Sequence, residues 1–188
     1  MHHRNMFFGA LASIFCFGAV FAAAAADEWT PEAKGTSIVK AALKKLHDSK
    51  IFPDDHDLMR RIGWVESKDG NDAGTYRANY HGGIWQVDNI GFVDTQTHPT
   101  AKKKLHAKIK EKYGLDWTKV TWQELRKPAL SALAARAKLY ITGRPSSCLQ
   151  AIPTGLQEQA QYWKNCYNSA AGAGTVAKFL ADVARMPS

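Results

Sequence analysis

Apolar residues recur at helical spacing through most of the chain. From Thr36 to Lys50, the residues Ile38, Val39, Ala42, Leu43 and Leu46 fall on one stripe and predict an amphipathic helix. Phe52-Pro53 breaks it, and Asp54 or Asp55 is placed to cap a second helix. That helix carries Leu58, Met59, Ile62 and Val65 at helical spacing and ends near Glu66-Ser67. Lys68 to Gly83 is polar and rich in Gly, Asn and Tyr, so a loop is expected, with room for a short hairpin. Pro99 opens a helix predicted to run through Tyr113, with its lysines solvated and Gly114 as its stop. Thr121 and Glu124 have capping-box spacing for a short helix. Pro128 begins an alanine-rich helix that runs to Ile141 and is stopped by Gly143-Arg144-Pro145. Leu156 to about Asn168 and Thr175 to Ala184 supply two more helices across a Gly/Ala hinge. No segment alternates as a strand would, and there is no internal repeat or long linker. The pattern predicts a mainly α chain with one domain.

The N-terminal segment breaks from this pattern. Met1 to Arg4 is short and basic, Met6 to Phe21 is almost wholly apolar, and Ala22 to Ala26 is small before Asp27. That order is the mark of a secretory signal peptide, so residues 1–26 are expected to be removed. The apolar run is long enough to span a membrane, but no positively charged stop-transfer flank follows it, and no stable membrane anchor is expected. Removing 26 of 188 residues leaves 162, enough for one domain over 27–188 with a real core. Only Arg4 among the 25 basic residues departs, so the mature balance is 24 against 17 acidic residues, or +7. A basic secreted chain suits an anionic polymer such as a bacterial wall, although nucleic acid or acidic glycans share that chemistry. Cys148 and Cys166 remain after Cys16 leaves, and an even pair in an oxidising compartment reads as a disulfide.

Glu66 is the first candidate for chemistry. It follows Trp64-Val65 at the end of an apolar helix, where desolvation raises a carboxyl pKa. An acid that keeps its proton near neutral pH is what a glycosidic leaving oxygen requires. A simple helix-end role for Glu66 is the competing reading. Gly82-Gly83-Ile84-Trp85-Gln86-Val87-Asp88 combines backbone open to close approach, an indole, an amide and a carboxylate. Such a segment can line a sugar site or form a core turn around a buried Trp. Asp88 is either a second carboxylate or a cap ahead of Asn89-Ile90, and Asp69 and Asp72 are weaker candidates for the same task. The histidines are scattered and have no metal-ligand spacing, so no metal or cofactor is expected. The Lys102-Lys103-Lys104 run reads as a solvated helix face, and no nucleic-acid partner is expected.

Glu66-Ser67 followed by Gly83-Ile84-Trp85-Gln86-Val87 resembles the Glu-Ser … Gly-Leu-Met-Gln-(Val/Ile) pattern of soluble lytic transglycosylases and goose-type lysozymes. Ala132 to Ile141 is similar to that superfamily's alanine-rich helix. Tyr167-Asn168, with Ala171 to Val176 after it, is similar to its Tyr-Asn-Ala-Gly-x-Gly-x-Val segment. The motifs keep the family's order and span roughly Asp57 to Val183. The resemblance implies a lysozyme-like single helical domain with a loop-rich active-site cleft, binding the alternating sugars of peptidoglycan. It implies Glu66 as general acid/base, with Gly83, Ile84, Trp85 and Gln86 lining sugar subsites, Tyr167 close to Glu66, and Asn168 supporting that region. Asp88 falls where goose-type lysozymes often carry an aspartate, which favours a hydrolase. Two departures stand out: Ser169-Ala170 looks like an insertion, and Trp85 replaces the family's methionine, predicting a flatter and bulkier subsite floor.

The expected activity is therefore a secreted (extracellular, or periplasmic in a bacterium) monomeric muramidase that cleaves the β-1,4 bond of peptidoglycan glycan strands and is drawn to anionic bacterial surfaces. A lytic transglycosylase, a chitin-cleaving enzyme and a non-catalytic peptidoglycan- or chitin-binding protein on the same fold are the alternatives.

Overall fold

The computed structural model describes residues 26–142, 148, 151–168 and 172–188. The predicted signal segment, the Gly143-Arg144-Pro145 stop, the Ser169-Ala170 insertion and Ala171 lie outside them, Ala26 excepted. The described chain is mainly helical, without strands. The order is α1 (Thr36–Asp48), α2 (Leu58–Ser67), α3 (Asn89–Thr97), α4 (Pro99–Lys104), α5 (His106–Tyr113), α6 (Pro128–Ile141), α7 (Leu156–Tyr162) and α8 (Val176–Val183). Short 3₁₀ turns occur at Trp117–Lys119 and Trp122–Arg126, and α7 continues as a π-helical stretch, Trp163–Asn168.

The alanine-rich helix α6 is the hub. Ala132, Ala134, Ala135 and Ala137 are fully buried, and α1, α2, α3 and α4 all pack on it. Small side chains on every face let neighbouring backbones come close, and a helix apolar all round belongs in a core. Cys148 and Cys166 form a disulfide that ties the segment after α6 to the π-helical stretch. In the chain-entropy picture a closed loop of this size contributes about 3 kcal/mol. No helix among the described residues is long and apolar enough to cross a membrane.

Two expectations need adjustment, and one helix, α3, was not among those predicted. The helix predicted from Pro99 to Tyr113 is two helices broken at Leu105, whose buried side chain is drawn into the core. α3 emerges from a sequence with little periodicity, because only Phe92 and Thr95 face inward. The residue at the N-cap of α2 is Asp57, in the left-handed region and without a side-chain cap bond. Asp55 instead reaches the Met59 N–H at 3.5 Å and the His47 Nε2 at 2.8 Å.

Candidate active site

Glu66 lies on the last turn of α2, one turn beyond Gly63. The indole of Trp85 packs over Gly63 so closely that a Cβ there would sit 3.4 Å from the ring. The helix ends through left-handed Lys68 and Asp69, with the Ser67 hydroxyl donating to Gly63 O and accepting from the Gly70 N–H at 2.9 Å. These bonds fix the terminal turn and aim the Glu66 side chain toward the π-helical stretch. There the Trp163 indole N–H donates to Glu66 Oε1 at 2.9 Å. Trp163 is buried and packs against Phe179 at 5.1 Å between ring centres.

Burial raises the pKa of Glu66 above the ordinary carboxylate value. The Trp163 bond and the charges of Lys138, Lys178 and Lys68 oppose that rise without cancelling it. No lysine or arginine forms an ion pair with Glu66 among the described residues, so its firmest partner is a neutral donor. A neutral donor serves both protonation states, since the bonded oxygen accepts in either one.

Tyr167 lies one helical turn beyond Trp163. Its hydroxyl donates to the Trp85 carbonyl at 2.5 Å, and burial followed by the nearby Glu66 charge holds its pKa far above the phenol value. Lys138, from α6, donates to the Tyr167 carbonyl at 3.1 Å and stands 4.7 Å over its ring. Tyr80 feels the charges of both Asp88 and Glu66, while burial lifts its pKa to about 12. Its hydroxyl donates to Gln86 O at 2.7 Å. Glu66, Trp163, Tyr167, Lys138 and Tyr80 are thus brought together from α2, the π-helical stretch, α6 and the loop before α3.

The Gly82-to-Asp88 segment is a structural turn. Gly83 has φ +64°, and a Cβ there would lie 2.1 Å from Leu125 O. Only glycine fits that approach. Ser131 Oγ on α6 donates to Gly82 O at 2.9 Å and accepts from the Trp85 N–H, stapling the turn to the hub. Ile84 and Trp85 are fully buried, and the Trp85 indole N–H is spent on Met59 O at 2.8 Å. The expected sugar-binding roles of these two side chains are therefore corrected: they are core, because the indole has a buried acceptor and a glycine to lie on. Gln86, in the left-handed region, uses its amide on Gly83 O at 2.6 Å and Thr75 O, and accepts from Arg77. It braces the loop it belongs to.

Asp88 is exposed at the N-cap of α3, where its Oδ1 accepts from the Gly91 N–H at 2.6 Å. This is the capping role weighed for it from sequence. Asp69 is buried and paired with Arg60 at 2.7 Å and the Thr36 hydroxyl, and Asp72 caps its own turn at Gly74. Asn168 packs against Gly172 and Gly174 and accepts from Lys164, holding the glycine segment against Trp163. His81 is set edge-on to Trp122 and sits beside Arg126, an ordinary loop arrangement.

Sequence reasoning passed over Trp163, Lys138 and Tyr80. The spacing of Trp163 and Tyr167, one turn apart in a predicted helix that also holds Cys166, was the available signal for the first.

No protein-family model, curated protein or solved structure matches this chain. Three concavities on the described surface lie away from Glu66: one beside α1 and Tyr113, one between α1 and the C-terminal residues, and one between α4 and α6.

Proposed function

We propose that this chain is a glycosidase of the lysozyme kind, a muramidase that cleaves peptidoglycan strands with Glu66 as general acid. One observation carries the reading: a carboxyl raised in pKa by burial, paired to no cation among the described residues, and held by the Trp163 indole beside Tyr167. Such a group keeps its proton at a pH where free carboxylates have lost theirs, and delivers it to the bridging oxygen as the glycosidic bond breaks. The sugar left behind takes on oxocarbenium character, which the Glu66 carboxylate formed by that transfer stabilises until a water bonds to the anomeric carbon and returns a proton to Glu66. The basic surface would draw the enzyme to anionic walls, an attraction that salt weakens.

A second reading, lytic transglycosylation, accommodates an Asp88 whose Oδ1 caps α3 by accepting from the Gly91 N–H. That bond gives Asp88 a structural task at Oδ1, and a transglycosylase needs no second carboxylate: it works with Glu66 alone and closes a 1,6-anhydro ring.

Mass analysis of fragments released from purified peptidoglycan tests both. Reducing-end muramic acid supports hydrolysis, and 1,6-anhydro ends support transglycosylation. Glu66→Gln should lose about 10³-fold in rate yet still pellet with the wall. Wild-type protein that pellets without releasing fragments would replace the enzyme reading by a glycan-binding one.

A further inference from the structure

Arg136 lies two residues before Lys138 on α6, about 200° around the helix, and so faces away from Glu66. It is 3 % exposed. A guanidinium carries five donors, and Nη2 donates to Pro53 O at 3.0 Å while the plane lies 5.1 Å from the Phe52 ring centre. No carboxylate among the described residues forms an ion pair with it. Asp55, whose charge it feels, is occupied by His47. Burial accordingly lowers its pKa from the usual arginine value. Leaving a desolvated cation without a counter-ion is costly.

The other guanidinium donors are not sealed in the core. Among the described residues, Thr75 Oγ1 is the buried polar side-chain atom that lacks a partner, and no Arg136 atom shares that condition. They open instead onto a concavity of about 380 Å³ between α4 and α6, within the size range of small-ligand sites. Lys104 and Thr100 of α4 line one side of it. Leu139, Tyr140, Ile152 and Tyr162 give it apolar and aromatic walls.

We propose that this concavity binds a small organic carboxylate, with Arg136 gripping the carboxylate through its fork and Lys104 adding a second positive charge at the mouth. Arginine's planar donors match a carboxylate in pairs. The apolar walls favour an organic body over a bare inorganic anion, which would leave that surface unused. A guanidinium that served only to brace Pro53 would gain nothing from an open, cation-lined hollow. The site is independent of the reaction assigned to Glu66.

The test follows the Arg136 Nε–Hε signal in ¹H–¹⁵N spectra of the whole, disulfide-intact protein, assigned by its loss in Arg136→Lys. Benzoate, acetate and inorganic phosphate are titrated in turn. Benzoate should move the signal saturably with a Kd of about 1 mM or tighter, acetate more weakly, and phosphate least. Lys104→Gln alters an exposed residue, so it should leave Tm unchanged and weaken benzoate about two- to fivefold. Absence of saturable movement with any probe, phosphate binding more tightly than benzoate, or unchanged benzoate affinity in Lys104→Gln would overturn the proposal.

Discussion

Two carboxyl groups near the end of α2 share the same lysines and end in opposite states. Asp182 of α8 is 3 % exposed. Burial alone would raise its pKa, but bonds from Lys178, Lys68 and Arg185 outweigh that and hold it at about 2. Glu66 feels the charges of Lys68 and Lys178 as well, yet neither bonds to it, and its pKa is raised. Burial pushes both pKa values upward, and the direct cationic hydrogen bonds present at Asp182 and missing at Glu66 reverse that push at Asp182 alone. Asp182 absorbs the local positive charge, and Glu66 is left with an indole donor. Asp182 also anchors α2 directly, since the Trp64 indole N–H donates to its carbonyl at 2.8 Å.

The contrast breaks most visibly in Asp182→Asn. Losing three cationic bonds should cost about 2 kcal/mol, less than the 3–5 kcal/mol of a fully buried pair because the cations stay partly in water. The depressed pKa of Asp182 means this stabilisation is present above the unfolded value near 3.8 and is lost as pH falls through about 2. Thermal melts of the two proteins should therefore converge in strong acid. The freed lysines should also lower the Glu66 pKa, moving the alkaline limb of the cleavage profile to lower pH. An unmoved limb would show that Asp182 does not shield Glu66.

Trp163→Phe substitutes a smaller ring and removes the donor; the lost hydrogen bond costs about 1.5 kcal/mol, and the volume vacated at this buried position adds to it. The Trp163 bond lowers the Glu66 pKa, so its loss should shift the alkaline limb upward, opposite to Asp182→Asn. Shifts in the same direction would contradict the assignment of these two partners.

Glu66→Gln should retain a bond from Trp163 without an ionisable group. A raised folded pKa gives stability that is complete below the unfolded value near 4.5 and is lost as pH rises through the folded one. The variant should match wild type in Tm at pH 4 and gain on it as pH rises toward 8. A constant difference across that range would mean Glu66 ionises at no cost.

The smallest effect is expected at Asp88, the exposed contrast to both. Asp88→Ala should lose about 1 kcal/mol of helix capping, and Asp88→Asn little, since asparagine caps as well as aspartate. A large rate loss in Asp88→Asn with unchanged Tm would give Asp88 a chemical role beyond the cap.

Much of the helical framework was legible because periodic apolar residues and local stops encode it: Thr36–Asp48, Leu58–Ser67 and Pro128–Ile141 follow from Leu, Ile and Ala spacing and from Pro and Gly. α3 was not, since a helix that buries only Phe92 and Thr95 leaves almost no periodic trace. The break at Leu105 was equally silent, because its cause is a tertiary contact of that residue and not a local breaker. At the site, the desolvated setting of Glu66 was readable from its helix. Its partner Trp163 lies 97 residues away, and nothing local reports that pairing. Trp85 was misplaced for a related reason: an indole serves a sugar face and a core equally well, and only Met59 O and Gly63 decide between them.

A general-acid role requires Glu66 to hold its proton, and a titration of its side-chain carboxyl carbon by ¹³C NMR reads that directly. The resonance, assigned by its absence in Glu66→Gln, should have a midpoint clearly above 4.5. A midpoint at or below that value would leave Glu66 an ordinary carboxylate and remove the general acid from the proposed reaction.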